Sequence, residues 1–270
     1  MSTKRIVLIT GANTGIGYET VKQLLESGRP YHIILGSRSP DKGDEAIARL
    51  KDEYPDTPSS LQPLQIEVTS DDSISKAFQK ISDEHGVVDI LVNNAGASFD
   101  STIVARANDI AAVRESFNKA YDVNTSGAHV ITHAFAPLLL KSSDPRLLFV
   151  TSGLSNLTAI ASHGLMPHLG KITTPAGWPK GPTPMGYRSS KVALNMVMLS
   201  WHYLFEQDGV KVWGISPGFL ATGLGGNPEL LKKMGAGEPR KGGELIKKVI
   251  EGDRDGDVGK IVTQDGVQSW

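Results

Sequence analysis

The sequence predicts an α/β fold in one domain: a doubly wound, mostly parallel β-sheet with helices on both faces. Three observations carry that expectation. Short apolar runs alternate with helical patterns along the chain, as βαβ units require. The runs are apolar almost without a break, as strands covered on both faces must be. No linker divides the 270 residues. A prior of roughly 150 residues per domain suggests two domains, but one doubly wound sheet can fill this length.

The elements follow in order. Arg5-Ile-Val-Leu-Ile-Thr10 is a strand run, followed by a glycine-rich turn and a helical stretch from about Gly15 to Ser27. His32-Ile-Ile-Leu35 is the second strand. Ser39-Pro40-Asp41 then places a cap, a first-turn proline and a first-turn acid in the order that opens a helix. Leu61 to Val68 fits a third strand, and Ser70-Asp71-Asp72 starts a helix with Ile74, Ala77, Phe78 and Ile81 on one face. Val88 to Val92 is the fourth strand, in which Asp89 is expected to serve the architecture. A long helical region leads to Leu147–Val150; Lys211–Ile215 is the sixth run and Lys260–Val262 a weak last one. Segments 163–186 and 217–239 are dense in Gly and Pro and follow strands. Ligands bind at the carboxyl ends of strands in such sheets, so both are candidate walls of a site.

Composition removes several function classes. Lys and Arg total 28 against 29 Asp and Glu, a net charge of −1, which argues against nucleic acid or a membrane surface as partner. With no cysteine, disulfides, thiolate metal sites and a cysteine nucleophile are excluded. Only Ile6 to Thr10 separate Lys4-Arg5 from Gly11, too few for a signal-peptide core. No stretch reaches the ~20 apolar residues of a membrane span. A cytoplasmic chain is expected.

The 29 glycines exceed the usual ~7%, and some lie where they carry meaning. The first strand runs into Thr10-Gly11-Ala12-Asn13-Thr14-Gly15-Ile16-Gly17 and then a helix. Glycines there let the chain turn sharply and let backbone N–H groups approach a pyrophosphate at the helix N-terminus. The spacing matches neither G-x-G-x-x-G nor a P-loop, and a tight βα connection is the plain alternative. At the end of the second strand, where an acid would hold a ribose 2′-hydroxyl, stand Ser37 and Arg38. A carboxylate would repel a 2′-phosphate. Serine with a guanidinium would accept it, which favours NADP over NAD, unless Arg38 is simply a solvated loop residue.

Tyr187-Arg-Ser-Ser-Lys191 precedes an apolar helical stretch. Residues four apart share a helix face, so the Lys191 ammonium would sit near the Tyr187 phenol. A nearby cation favours the phenolate and would bring a group of pKa near 10 into catalytic range. Tyr and Lys at this spacing also occur by chance.

Taken together, the glycine turn, Asn93-Asn94-Ala95-Gly96 after the fourth strand, Asn124 in the next helical region, Ser152 after the fifth strand, Tyr187-x-x-x-Lys191, and Pro217-Gly218 with Thr222 after the sixth resemble a classical short-chain dehydrogenase/reductase. Their order spans residues 5–222. The resemblance, carbonyl-reductase-like and nearest to fungal ketoreductases of secondary metabolism, implies a Rossmann-type domain and hydride transfer between NADPH and a carbonyl or alcohol carbon. It implies Tyr187 as proton donor or acceptor, Ser152 as the donor that holds the substrate oxygen, and Lys191 on the tyrosine and the nicotinamide ribose. Asn124 would hold a water leading from the lysine to solvent. The cofactor would lie along Gly11, Asn13, Thr14, Gly15, Ile16, Gly17, Ser37, Arg38, Glu67, Val68, Asn94, Ala95, Gly96, Pro217, Gly218 and Thr222. Glu67 stands where the family has an Asp for the adenine amino group, one methylene longer. Asn93, Asn124 and Ser152 also have plain architectural readings, as buried polar groups that need partners.

One departure stands out. Ser152 and Tyr187 are 35 residues apart, against about a dozen in many members, with an insertion at about 155–186 that contains His163, Pro167, His168, Pro175, Trp178, Pro179, Pro182 and Pro184. Similar insertions in carbonyl-reductase-like members disfavour the usual oligomer interface, so a monomer or homodimer is expected rather than a tetramer. Two histidines without an acidic partner do not make a zinc site, and no metal is expected. Ala97, Ser98, Phe99, Gly153, Leu154, Phe219 and Leu220, the last two on a substrate loop at about 217–239, would line a pocket for an apolar carbonyl substrate. The competing functions are a non-catalytic NADP(H) sensor or interaction protein on the same fold, and an extended-type nucleotide-sugar epimerase. The few residues after Thr222 count against the epimerase.

Overall fold

The computed structural model describes residues 4–102, 109–164, 175–178, 180 and 183–270. Eight strands form one sheet: β1 (Arg5–Ile9), β2 (Tyr31–Ser37), β3 (Ser60–Gln65), β4 (Ile90–Asn93), β5 (Arg146–Val150), β6 (Lys211–Ile215), β7 (Ile261–Val262) and β8 (Val267–Gln268). Their order is β3-β2-β1-β4-β5-β6-β7-β8, parallel throughout except for the antiparallel β7–β8 pair. The chain winds outward from β1 in one direction and from β4 in the other, so the switch point lies between them, the crevice where such sheets bind ligands.

Period-2 alternation drives the sheet into two cores. Val7 and Ile9 with their neighbours Ile33, Leu35, Ile90 and Val92 point to one face. Leu8, Ile34 and Leu91 point to the other. The first face is covered by α1 (Gly15–Leu25), α2 (Pro40–Glu53) and α9 (Arg240–Glu251). The second is covered by α3 (Asp71–Glu84), α5 (Gly127–Leu139) and α7 (Met185–Leu204). A π-helical turn, 122–126, joins α4 (Ile110–Tyr121) to α5. Two short helices, α6 (Leu157–His163) and α8 (Pro228–Lys233), lie in the segments expected as loops.

The expected caps are present. Ser39 accepts the Lys42 amide ahead of Pro40, and Ser70 accepts that of Ser73, with Ile74, Ala77 and Ile81 buried. Phe78 packs edge-on to Phe135. Asp89 is architectural: its carboxylate accepts the Ile6 amide at 2.7 Å and the Ser142 hydroxyl at 2.6 Å. The third strand ends at Gln65 rather than Val68, because β3 is an edge strand whose partner β2 stops at Ser37. Pro63 is tolerated there since an edge strand need not donate on its open side. The first helix ends at Leu25 rather than Ser27. Strand β8 was not expected; two residues carry no periodicity. Among the described residues no helix is long and apolar enough to cross a membrane. His168, Pro167, Pro179 and Pro182 of the insertion lie outside the described residues.

Charged groups concentrate at the amino ends of the strands. Arg146, 4% exposed, makes a bidentate pair with Asp255 at 2.6 and 3.0 Å, bonds Asp144 at 3.0 Å, and lies over the Trp213 ring. Lys211 bridges the same two carboxylates. The guanidinium holds the Asp255 carboxyl down to about 2, against a smaller opposing effect of burial. A carboxyl whose folded pKa is depressed adds stability that is complete above its unfolded value and is lost as the pH falls through the folded one. Asp255→Asn is therefore expected to lower unfolding stability near neutral pH by roughly 1–2 kcal/mol, a charged hydrogen bond discounted for partial exposure. The difference from the native chain should shrink between about pH 4 and pH 2. Denaturant midpoints across that range check it.

Candidate active site

The loops after β1, β4, β5 and β6 meet at the carboxyl edge of the sheet. Gly11 and Gly15 take left-handed φ values of 62° and 60°, which glycine adopts without strain. Gly17 is required for a different reason. A Cβ there would lie 2.5 Å from Asn94 Nδ2, 2.8 Å from the Gly11 carbonyl oxygen and 2.9 Å from Ala12 Cα. The Asn94 amide donates to the carbonyls of Thr10 and Gly11 at 2.8 and 3.1 Å. The Thr10 hydroxyl accepts the amides of Asn94 and Ala95, each at 3.0 Å. Asn94 thus stitches the β4 loop to the glycine loop. Thr10, quoted only as the start of the turn, supplies the other half of the seam.

The fit for a dinucleotide is visible in the same loop. Helix α1 begins after Thr14, whose side chain makes no cap, and uncapped first-turn amides of this kind suit an anion. Beside Gly15 the nearest atoms are those of Thr222, 3.9 Å from where a Cβ would stand. The post-β6 loop, with Pro217 buried and Gly218 at φ 97°, therefore lies beside the glycine loop. Asn13 and Ile16 lie on the glycine turn itself, half-buried. Arg38 is exposed at the end of β2. The residues present suit a phosphate-bearing dinucleotide.

Other expected cofactor residues have their side chains occupied. The Ser37 hydroxyl donates to the Ser39 carbonyl at 2.9 Å within its own turn. One Glu67 oxygen accepts from the Thr69 hydroxyl at 3.1 Å. Val68 is buried, and its carbonyl would sit 2.7 Å from a Cβ on Gly127.

Tyr187, Ser152, Lys191 and Asn124 come together at this edge. Tyr187 and Lys191 lie one turn apart on α7, with the Lys191 nitrogen 5.8 Å from the Tyr187 ring centroid. Ser152 lies close enough to the Tyr187 phenol to favour its charged form, and its hydroxyl accepts the Leu154 amide at 3.2 Å. The Lys191 nitrogen donates to the Val150 carbonyl at 2.8 Å. Gly96 makes room: a Cβ there would lie 3.1 Å from Asn124 Oδ1 and 3.3 Å from Lys191 Nζ. Asn124 itself, wholly buried in the π-helical turn, accepts the Ala97 amide and donates to the Ala97 carbonyl, both at 2.8 Å. Its amide also donates to the Ser190 hydroxyl at 2.9 Å.

The electrostatics differ from the expectation. Burial pushes the Tyr187 phenol above its ordinary pKa, outweighing the nearby Ser152, which lowers it. Burial also brings the Lys191 amine down to about 7. Burial thus opposes the charged form of both groups. Desolvation is a tertiary property that helical spacing does not report.

Several supporting residues were missed. Thr151, Ser155 and Asn195 form a buried chain: the Thr151 hydroxyl donates to Asn195 Oδ1 at 2.6 Å, Asn195 to the Ser155 hydroxyl at 3.0 Å, and Ser155 to the Ser152 carbonyl at 2.6 Å. Gln268 reaches the Ser155 hydroxyl at 3.3 Å. Asp100 accepts the Gly186 and Tyr187 amides at 2.8 and 3.0 Å. The one signal for Asp100 was negative: Pro184-Met185-Gly186 offers α7 no capping side chain.

The comparisons with known proteins agree with this architecture. The short chain dehydrogenase family matches residues 5–163, more than half the chain. The short-chain dehydrogenase/reductase tropE of Talaromyces stipitatus is 46% identical over 275 residues, covering 98% of this chain and 97% of that protein. The short-chain dehydrogenase/reductase eupG of a Phoma species is 43% identical, covering 99% and 98%. Among solved structures, the NADPH-bound carbonyl reductase from chicken fatty liver superposes with a TM-score of 0.78 at 24% identity, covering 99% of both chains, and so shares the fold. The chain belongs to the short-chain dehydrogenase/reductase family. That family carries out oxidoreduction with a nicotinamide cofactor.

The crowding at Gly17 yields a prediction. Gly17→Ala should destabilise the protein by roughly 1–3 kcal/mol through overpacking against backbone that cannot yield freely, and should weaken dinucleotide binding as the Asn94 seam shifts. Thermal unfolding and a cofactor fluorescence titration read the two effects.

Proposed function

We propose that the protein is an NADP-dependent carbonyl reductase that transfers hydride between NADPH and an apolar ketone or aldehyde. The observation that carries this reading is the convergence of Tyr187, Ser152 and Lys191 at the sheet's carboxyl edge, next to an uncapped helix N-terminus. A bound nicotinamide supplies the hydride. The Ser152 hydroxyl donates to the substrate oxygen, where charge develops, and holds it in line. The Tyr187 hydroxyl, kept protonated by burial, gives its proton to that oxygen as the carbonyl carbon is reduced. Lys191 lies beside the phenol and would bind the ribose hydroxyls. Asn124 braces the Ala97 backbone and Ser190, a second role beside the water-holding one that the resemblance implies.

Arg38 supports the 2′-phosphate assignment. It is exposed at the end of β2, with no hydrogen bond or ion pair to any described residue, and no carboxylate occupies the adjoining Ser37 position. The pocket would be formed by Ala97, Ser98 and Phe99 with Gly153, Leu154, Phe219 and Leu220. These are small or apolar groups, with no cation to clamp an acid. The chain would act as a single domain, as a monomer or homodimer.

The direct test follows NADPH and NADH oxidation at 340 nm over a panel of aldehydes and bulky ketones. Turnover dependent on one carbonyl class and on NADPH supports the assignment; tight cofactor binding without turnover overturns it. Tyr187→Phe should reduce turnover by at least ~100-fold, the scale of lost acid catalysis, with NADPH affinity nearly unchanged. Arg38→Ala should weaken NADPH more than NADH by roughly 1–3 kcal/mol; equal losses for the two cofactors remove the 2′-phosphate assignment.

A further inference from the structure

Helix α7 carries both Tyr187 and Lys191, yet it starts without a cap of its own: the residue ahead of it is Pro184, and no local side chain accepts its first amides. The missing acceptor comes from the loop after β4, 87 residues away. Asp100, 9% exposed, places one carboxylate oxygen 2.8 Å from the Gly186 nitrogen and the other 3.0 Å from the Tyr187 nitrogen. The Ser98 hydroxyl is 3.3 Å from the second oxygen and donates to it. The approach depends on Gly186, because a Cβ there would already lie 3.3 Å from Asp100 Oδ1.

The same loop reaches the other side of the tyrosine's backbone. Asn124 grips both the amide and the carbonyl of Ala97 and donates to the Ser190 hydroxyl, which donates in turn to the Tyr187 carbonyl at 2.7 Å. Residues 97–100 thus hold the Tyr187 N–H directly and its carbonyl through two side chains. A carboxylate at this end of a helix is also favoured by the helix dipole. It faces Arg188 too, whose guanidinium is pulled below its ordinary pKa by burial and supported by Asp100.

We propose that Asp100 is a positioning residue for the proton-transfer step, fixing the phenol of Tyr187 by gripping its peptide N–H. The proposal rests on the reading of Tyr187 as the proton donor. A small displacement of a reacting group is enough to cost up to about 100-fold in rate, so the effect should appear in kcat. It should not appear in cofactor affinity, because the glycine loop is braced separately by Thr10 and Asn94.

The test measures kcat, the carbonyl KM and the NADPH Kd for Asp100→Ala, Asp100→Asn and Tyr187→Phe. Asp100→Ala is expected to lower kcat about 10- to 100-fold with the NADPH Kd unchanged within about twofold. Asp100→Asn keeps one acceptor oxygen but turns an amide NH2 toward the second backbone N–H, so it should recover only part of the loss. If the alanine variant does not fold, the asparagine variant compared with the native chain reads the same quantity, with a partial kcat loss and an unchanged Kd expected. Unchanged kcat in a folded Asp100→Ala overturns the proposal, as does parallel loss of NADPH binding, which marks a general collapse of the site. An active Tyr187→Phe overturns the proton-donor reading itself, separately from the outcome at Asp100.

Discussion

The carboxyl edge of this sheet is organised around a primary amine held out of water with no carboxylate against it among the described residues. Lys191 is 3% exposed, and its nitrogen donates to the Val150 carbonyl. A charged amine is costly to bury, so burial alone brings its pKa to about 7. What surrounds it follows from keeping that arrangement in place. Val150 ends β5, which is fixed by β4 on one side and β6 on the other. Gly96 leaves the space that the amine occupies. The Thr151–Asn195–Ser155 chain ties the loop carrying Ser152 to the turn of α7 just beyond the lysine. Burial, paired polar groups and helix position support one another, and the phenol of Tyr187 is desolvated in the same environment.

Much of the fold was legible because it rests on local rules. Strands buried on both faces read as continuous apolar runs, and the alternation of Val7, Leu8 and Ile9 between the two cores is the period-2 geometry of a pleated strand. The caps at Ser39 and Ser70 are short-range hydrogen bonds between a side chain and an amide three residues on. The meeting of Tyr187 with Lys191 follows from helical pitch. The illegible parts depend on distance along the chain or on solvent. Asp100 serves an amide 87 residues away, and Asn94 serves carbonyls more than 80 residues away. The direction of the Tyr187 shift is set by desolvation, which no spacing encodes. Ser37 and Glu67 sit where sequence places them, but their side chains are partly engaged in their own turns.

The two ends of the strands use polarity differently. At the amino ends, Arg146, Lys211 and Arg5 share Asp144 and Asp255 in a dense set of ion pairs. Charge there is matched with opposite charge. At the carboxyl ends, the polar groups are mostly neutral or unmatched: amides, hydroxyls, a buried amine and a phenol. A ligand that brings its own charge finds donors there without first displacing a resident counter-ion. The architecture thereby separates the end that secures the sheet from the end that remains open to chemistry.

The seam between Gly17 and Asn94 bears on how ancestry is read in this fold. Gly17 has no room for a side chain because Asn94 and the loop's own backbone already fill the space, and Asn94 is engaged with that backbone. Selection for a well-folded chain alone would retain both residues. A descendant that had given up its cofactor would therefore still display much of the signature by which such proteins are recognised. Lys191 differs, because burying an amine costs the fold free energy rather than filling a space the backbone requires.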